Sequence, residues 1–283
     1  MTAAIDKARA VFRELHQRGC FVIPNPWDIG SAMLLKSLGY KALATTSAGV
    51  AFSRGLPDTD WAVPRDAMLS HIAEMVQATD LPVNADYESG YAHEPDGVAE
   101  SVALCASTGV AGLSIEDNTG DVAAPLYDFD LAVARIKAAA EALQGSGVLL
   151  TARCEALLVK HPHGQAWAEA EIMRRLPAFA AAGADVLYAP GLRDPAKIRA
   201  VVQLVAPKPV NLLVSSAIGL TVPQIADLGV RRISVGSAFA RAAWGGFLRA
   251  AREVAGQGSF SALAEAEPFD ALNNFFRQQE REG

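Results

Sequence analysis

Eight short apolar runs, most of them followed by a stretch with helical spacing, constrain this chain more than any other feature. The runs cover residues 21–25, 42–47, 82–88, 111–117, 148–155, 185–190, 209–215 and 232–237. Between them, residues 64–78, 130–143, 165–182, 195–205 and 223–228 read as helices, and residues 1–17 carry their charges at helical spacing. Gly39, Gly109, Gly183 and Gly229 stand where a helix would stop and the next run begin. Such alternation is the pattern of a parallel sheet with crossover helices. Eight units in about 250 residues predict an α/β fold, a (β/α)8 TIM-type barrel. A doubly wound open sheet is the alternative. It is weakened because no Gly-rich dinucleotide fingerprint follows the first run, where the chain reads Asn25-Pro26-Trp27-Asp28.

Composition narrows what such a barrel would do. The 283 residues are 51% hydrophobic and 20% charged, enough for one large core, and no linker or composition shift divides them. A single domain over residues 1–283 is expected, with an N-terminal helix and a C-terminal helical tail over residues 258–283. The formal net charge is −6 with no basic block, which argues against a nucleic-acid partner. The apolar runs are too short and interrupted to cross a membrane, and the opening helix lacks the apolar centre of a signal peptide. Cys20, Cys105 and Cys154 fit neither a disulfide framework nor a cysteine-based zinc site, which points to a cytoplasmic protein. Leu263, Phe269, Leu272, Phe275 and Phe276 make the tail apolar. It needs a surface, either its own barrel or a neighbouring subunit.

In such barrels the chemistry sits at the C-terminal ends of the strands. Asp86 and Glu88 are one residue apart at the end of the third run, so strand alternation puts both on one face. They are either two surface acids or ligands of a hard divalent cation, Mg2+ or Mn2+. Glu116 ends the fourth run and Arg153 the fifth. Three carboxylates beside one arginine could hold such an ion, partly through water, and a substrate carboxylate could pair bidentately with Arg153. The alternative for Arg153 is a structural ion pair with Glu155 or Glu116. Thr46, Ser47, Ala48 and Gly49, with their hydroxyls and N–H groups, and Asn211 in the seventh run complete the candidate substrate-binding set. This grouping suits a 2-oxo acid enolate. No lysine is placed at a strand end for Schiff-base chemistry. His161 and His163 read as loop residues or lid acids, and His93 as a rim residue. Gly236-Ser237 is a candidate phosphate turn, and Cys154 a buried thiol or a reactive one.

These residues resemble the isocitrate lyase and phosphoenolpyruvate mutase superfamily over most of the chain. The likeness rests on Asn25-Pro26-Trp27-Asp28 with Ser31-Ala32, Thr46-Ser47-Ala48-Gly49 followed by Gly55-Leu56-Pro57-Asp58, and Asp86-Tyr87-Glu88-Ser89-Gly90-Tyr91. Ile115-Glu116-Asp117, Ala152-Arg153-Cys154-Glu155-Ala156 and Ala182-Gly183-Ala184-Asp185 continue it. The resemblance implies a Mg2+-dependent barrel that makes or breaks C–C or P–C bonds beside a pyruvate-like enolate. It implies Asp86 as the principal metal-coordinating acid, Glu88 where many members have a second Asp, and Glu116 as the acid after the fourth strand. It also implies Arg153 as the residue holding the substrate's acid group, and Asp58 as an acidic residue of the gating region. A homotetramer, or a dimer, with C-terminal helices swapped between subunits is implied as well.

The departures shape the functional expectation. The isocitrate and methylisocitrate lyases of the superfamily carry a Lys-x-Cys-Gly-His loop after the fourth strand, whereas residues 117–127 here contain no lysine, cysteine or histidine. Their glutamate after the sixth strand is replaced by Ala189-Pro190-Gly191. Those two cleavages are therefore not expected. The expected function is a Mg2+-dependent lyase or decarboxylase of a small 2-oxo or 2-hydroxy carboxylate, with catalytic Arg153, Glu116 and Asp58. Tyr91, His93, Asp121 and Tyr127 are the local candidates for proton donor. The alternatives are a 2-oxo acid binding protein without turnover and a phosphonopyruvate-type P–C hydrolase or mutase.

Overall fold

The computed structural model describes residues 2–162 and 164–282. The chain runs α1 (Thr2–Leu15), β1 (Phe21–Ile23), α2 (Ile29–Ser37), β2 (Leu43–Ala44), α3 (Ser47–Ser53), α4 (Arg65–Ala78), β3 (Val83–Asp86), α5 (Pro95–Ser107), β4 (Gly112–Glu116) and α6 (Phe129–Ala142). It continues through β5 (Leu149–Arg153), α7 (Gly164–Ala181), β6 (Val186–Tyr188), α8 (Pro195–Val205), β7 (Val210–Leu213), α9 (Val222–Ala226), β8 (Arg232–Ser234), α10 (Ala238–Gln257) and α11 (Phe269–Glu282). All eight expected strands form. Every ladder is parallel, from β2 through β8 and on to β1. At the remaining seam Ala44 N–H donates to the Pro24 carbonyl at 3.0 Å, and the Asn25 side chain donates to the Thr45 carbonyl at 2.8 Å. The result is a nearly closed (β/α)8 barrel with an extra C-terminal helix.

Strand alternation sorts the side chains onto two faces. Leu113, Ile115, Leu150, Ala152, Leu187, Leu212 and Ile233 share one buried core with Val98, Ile136, Ile172, Ile198 and Ile225 of the surrounding helices. The intervening residues face the barrel axis. At its lower end Phe12 of α1 packs with Ile23, Ala44, Ala111 and Leu149. Gly112 makes room there: a Cβ would lie 2.6 Å from Phe12 Cε1 and 2.8 Å from Asn84 Oδ1. From the upper end inward, the register sets Glu116 beside Arg153, Arg153 beside Tyr188, Tyr188 beside Asn211 and Asn211 beside Arg232.

Residues Met1–Phe239 and Ala240–Gly283 form two compact units. The first holds the barrel. In the second, Arg249 pairs with Glu265 at 3.2 Å, and the Glu253 carboxylate accepts from Ser259, Ser261 and Ala262. No described helix is long and apolar enough to cross a membrane.

Candidate active site

Arg153, the last residue of β5, organises the upper rim. Its Nη1 meets Asp86 Oδ1 at 2.7 Å, its Nη2 meets Glu116 Oε2 at 3.1 Å, and its Nε meets Glu155 Oε1 at 2.9 Å. The guanidinium lies 5.0 Å over the Tyr188 ring, and its side chain is only 13% exposed. One buried cation therefore faces three carboxylates. Burial pushes the Glu116 carboxyl well above the usual range; Arg153 opposes the shift, while Glu155, Asp86 and a hydrogen bond to Glu155 add to it. Asp58 is also raised, first by desolvation and then by Asp86, against the pull of Arg153. It lies on an exposed loop, so water screens much of that effect.

The other oxygen of Asp86 is held by α3. Ser47 N–H and Ser47 Oγ both donate to Asp86 Oδ2 at 3.0 Å. Strand β2 is only Leu43–Ala44, and the small-residue segment is the first turn of a helix. Thr46 caps it, accepting from Gly49 N–H at 3.2 Å. Thr46, Ser47, Ala48 and Gly49 thus stand next to Asp86, with the Ser47 donors already engaged.

Glu88 behaves differently from Asp86. Strand β3 ends at Asp86, and Glu88 has φ 46°, in the left-handed region, so alternation does not carry it onto the Asp86 face. Its Oε2 accepts from Trp61 N–H at 2.6 Å and its Oε1 from Tyr91 O–H at 2.8 Å. Burial raises its pKa to about 7 against those two hydrogen bonds, with Asp86 and Asp60 adding to the rise. Asn211 lies deeper: its Oδ1 accepts from Arg232 and its Nδ2 donates to Ser234.

Several neighbours carried little signal in the sequence. Glu155, read only as a partner for Arg153, is buried and part of the acid cluster. Asp117 fixes it by accepting from Glu155 N–H at 2.8 Å, and Arg175 braces Asp117 at 3.2 Å. Tyr188 was unmarked, as was Trp61. Of the local proton-donor candidates, Tyr91 and His93 pack on Trp61, and Tyr127 reaches His93. His93 Nδ1 lies 2.7 Å from Tyr127 Oη and its ring 4.8 Å from Trp61. Asp121 instead caps an exposed turn through Ala123 N–H. His161 stacks on Trp167, and His163 lies outside the described residues. Gly236 N–H donates to Asn25 Oδ1, so the candidate phosphate turn already has an acceptor. Cys154 is buried, and burial with the nearby Asp117 raises its thiol far out of the reactive range.

The acid cluster could hold a hard divalent cation. Its donors are all oxygens, and they outnumber the one guanidinium that neutralises them. Among the described residues no three His, Cys, Asp or Glu side chains are grouped tightly enough to ligate one ion directly. Mg2+ suits such a site, because it takes one or two carboxylates and keeps several waters.

A family model described as phosphoenolpyruvate phosphomutase matches residues 12–255. A crystal structure of a lyase/mutase candidate from Burkholderia cenocepacia J2315 is 46% identical, covers 97% of each chain and superposes with a TM-score of 0.90. An uncharacterized protein of Mycobacterium tuberculosis (strain ATCC 25618 / H37Rv) is 35% identical over 80% of this chain and 81% of its own length. The crystal structure of 2,3-dimethylmalate lyase, a PEP mutase/isocitrate lyase superfamily member, is 26% identical. It covers 99% of this chain and 96% of its own, with a TM-score of 0.81.

Proposed function

Because the chain belongs to the phosphoenolpyruvate phosphomutase family, we propose that it is a Mg2+-dependent lyase or decarboxylase of a small 2-oxo or 2-hydroxy carboxylate, Mn2+ being the alternative ion. The superfamily includes both lyases and phosphomutases. The observation that carries the reading is Arg153 amid Asp86, Glu116 and Glu155 at the C-terminal rim. Asp86 is the first choice of metal ligand, with Glu116 reached through water; Glu88, whose oxygens accept from Trp61 and Tyr91, is left out of the set.

When bound, the ion would supply Lewis-acid stabilisation of an enolate oxyanion. The remaining work falls to the chain. Arg153 holds the substrate carboxylate through its planar fork, with the Tyr188 ring beneath it. Ser47, at the start of α3, fixes the Asp86 carboxylate through its hydroxyl and N–H, so that the other oxygen of Asp86 stays turned to Arg153. Glu116, whose carboxyl is pushed up by burial against the pull of Arg153, is the candidate proton source at the rim. Asp58, on the loop that follows α3, is near enough to Asp86 and Arg153 to feel their charges and is the candidate gating acid.

Calorimetry and product analysis with Mg2+ and a panel of 2-oxo, 2-hydroxy and phosphono acids test this reading. Binding heat accompanied by cleavage of a 2-oxo or 2-hydroxy acid is expected; phosphate released from a phosphono acid would identify the P–C variant. Heat without product across the panel would leave a binding protein. That second reading draws on residues 117–127, which lack lysine, cysteine and histidine. An Asp86→Ala variant that kept metal-dependent binding would remove the site assignment.

A further inference from the structure

Beneath the carboxylate layer the barrel holds a second guanidinium. Arg232, the first residue of β8, is buried, and among the described residues no carboxylate pairs with it. Its donors go to neutral acceptors instead: Nε to Asn211 Oδ1 at 2.8 Å, Nη2 to Thr151 Oγ1 at 3.0 Å, and Nη1 towards His16 Nε2 at 3.4 Å and Asn84 Oδ1 at 3.5 Å. His16 Nδ1 is 2.7 Å from the Phe12 carbonyl, so it carries the proton and leaves Nε2 to accept. Burying a cation without a counter-ion is costly, and barrel interiors of this kind are ordinarily filled with branched apolar side chains. A charge kept there at such cost calls for a role beyond filling space.

The hydrogen bonds from Arg232 lead up to the rim. Asn211 Nδ2 donates to Ser234 Oγ at 2.9 Å, and Ser234 lies near enough to the Tyr188 phenol to pull its pKa down against the rise from burial. The Tyr188 ring then lies under the Arg153 guanidinium. Three parallel ladders set Arg153, Tyr188, Asn211 and Arg232 side by side on consecutive strands, so the path is short and built on rigid elements.

We propose that Arg232 is a positioning residue for Arg153, acting through Asn211, Ser234 and Tyr188 to fix the aromatic platform under the substrate-binding guanidinium. This rests on the reading of Arg153 as the residue that holds the substrate carboxylate. It also gives Asn211 a supporting place below the site, since both ends of its amide are occupied inside the barrel.

The test uses oxalate as the probe, with Mg2+ present, and calorimetry on the full chain. Arg232→Lys, Ser234→Ala and Tyr188→Phe are measured alone and combined with Arg153→Lys, with thermal melts reporting the fold. Each single variant is expected to weaken oxalate binding about tenfold and to add little in the Arg153→Lys background, as coupled residues do. Unchanged affinity in folded Ser234→Ala and Tyr188→Phe, or equal losses in both backgrounds, would overturn the proposal. Should Arg232→Lys not fold, those two variants decide, because they leave the acceptors of Arg232 in place. Wild-type protein that gave no oxalate heat would instead overturn the reading of Arg153 itself.

Discussion

Glu88 shows how much one backbone choice decides at a single residue. Among the described residues Trp61, Glu88 and Tyr91 are the only non-glycine residues with positive φ, at 55°, 46° and 55°. They meet in one place: Glu88 accepts from the other two, and the Trp61 and Tyr91 rings stack at 6.1 Å. Left-handed backbone is unfavourable for such side chains and persists only where the surroundings fix it. The Glu88 carboxylate is therefore a clasp between the loop carrying Trp61 and the end of β3. Glu88→Ala would leave a backbone N–H and a phenol without their acceptor and should cost about 1–3 kcal/mol. Denaturant unfolding followed by tryptophan fluorescence measures this, and a loss below about 0.5 kcal/mol, the scale of an ordinary surface change, would show that the clasp carries no stability. Asp86 and Glu116 were legible as strand-end residues, and Glu88 reads the same way although β3 ends at Asp86. The direction Glu88 takes was not legible, because it depends on a donor 27 residues upstream.

At the scale of elements, α1 acts as the stopper of the barrel. Phe12 enters the lower apolar layer, and the Arg9 guanidinium donates to the carbonyls of Val110, Ser146 and Ala106. His16, just beyond the helix, is buried against Arg232, and burial followed by that charge lowers its pKa to about 3 from 6.5. The folded value lies below the unfolded one, so the unfolded chain binds the extra proton first. Stability from this group is complete above about pH 6.5 and is lost as pH falls towards 3. By pH 5 the loss amounts to about 2 kcal/mol. His16→Gln keeps an acceptor for Arg232 and should flatten the decline between pH 7 and pH 5 by that amount. Comparing the two proteins removes the opposite contribution of Asp117, whose pKa burial raises to about 6. Parallel pH–stability curves would show that His16 takes a proton without resistance. Helix α3 is an element that the sequence reads as something else. Its first turn looked like a loop of small residues, and only the Thr46 cap and the Ser47–Asp86 contacts make it a helix start.

For the whole molecule, the second compact unit bears on assembly. Phe247, Phe260, Leu263 and Phe269 are more than half exposed, and Trp244 and Leu272 add to the apolar surface. We propose that this surface is buried between copies of the chain in a dimer or tetramer. Light scattering should give a multiple of 29.8 kDa, and a monodisperse monomer would refute the proposal. The alternation of eight apolar runs with helical stretches determined a parallel, doubly covered sheet by itself, because each run is a local pattern that only such a sheet can bury, and the count of eight favoured the barrel over the doubly wound alternative. The same pattern placed Asp86, Glu116 and Arg153 at one rim, since the fold puts every strand's C-terminal end there. Tertiary structure alone decided the rest. Whether Arg153 meets three carboxylates, whether Glu88 faces Asp86 or Trp61, and whether Arg232 finds a counter-ion depend on contacts between residues far apart in the chain. No periodicity records those contacts, because they are set by the register of neighbouring strands and the path of the loops that join them.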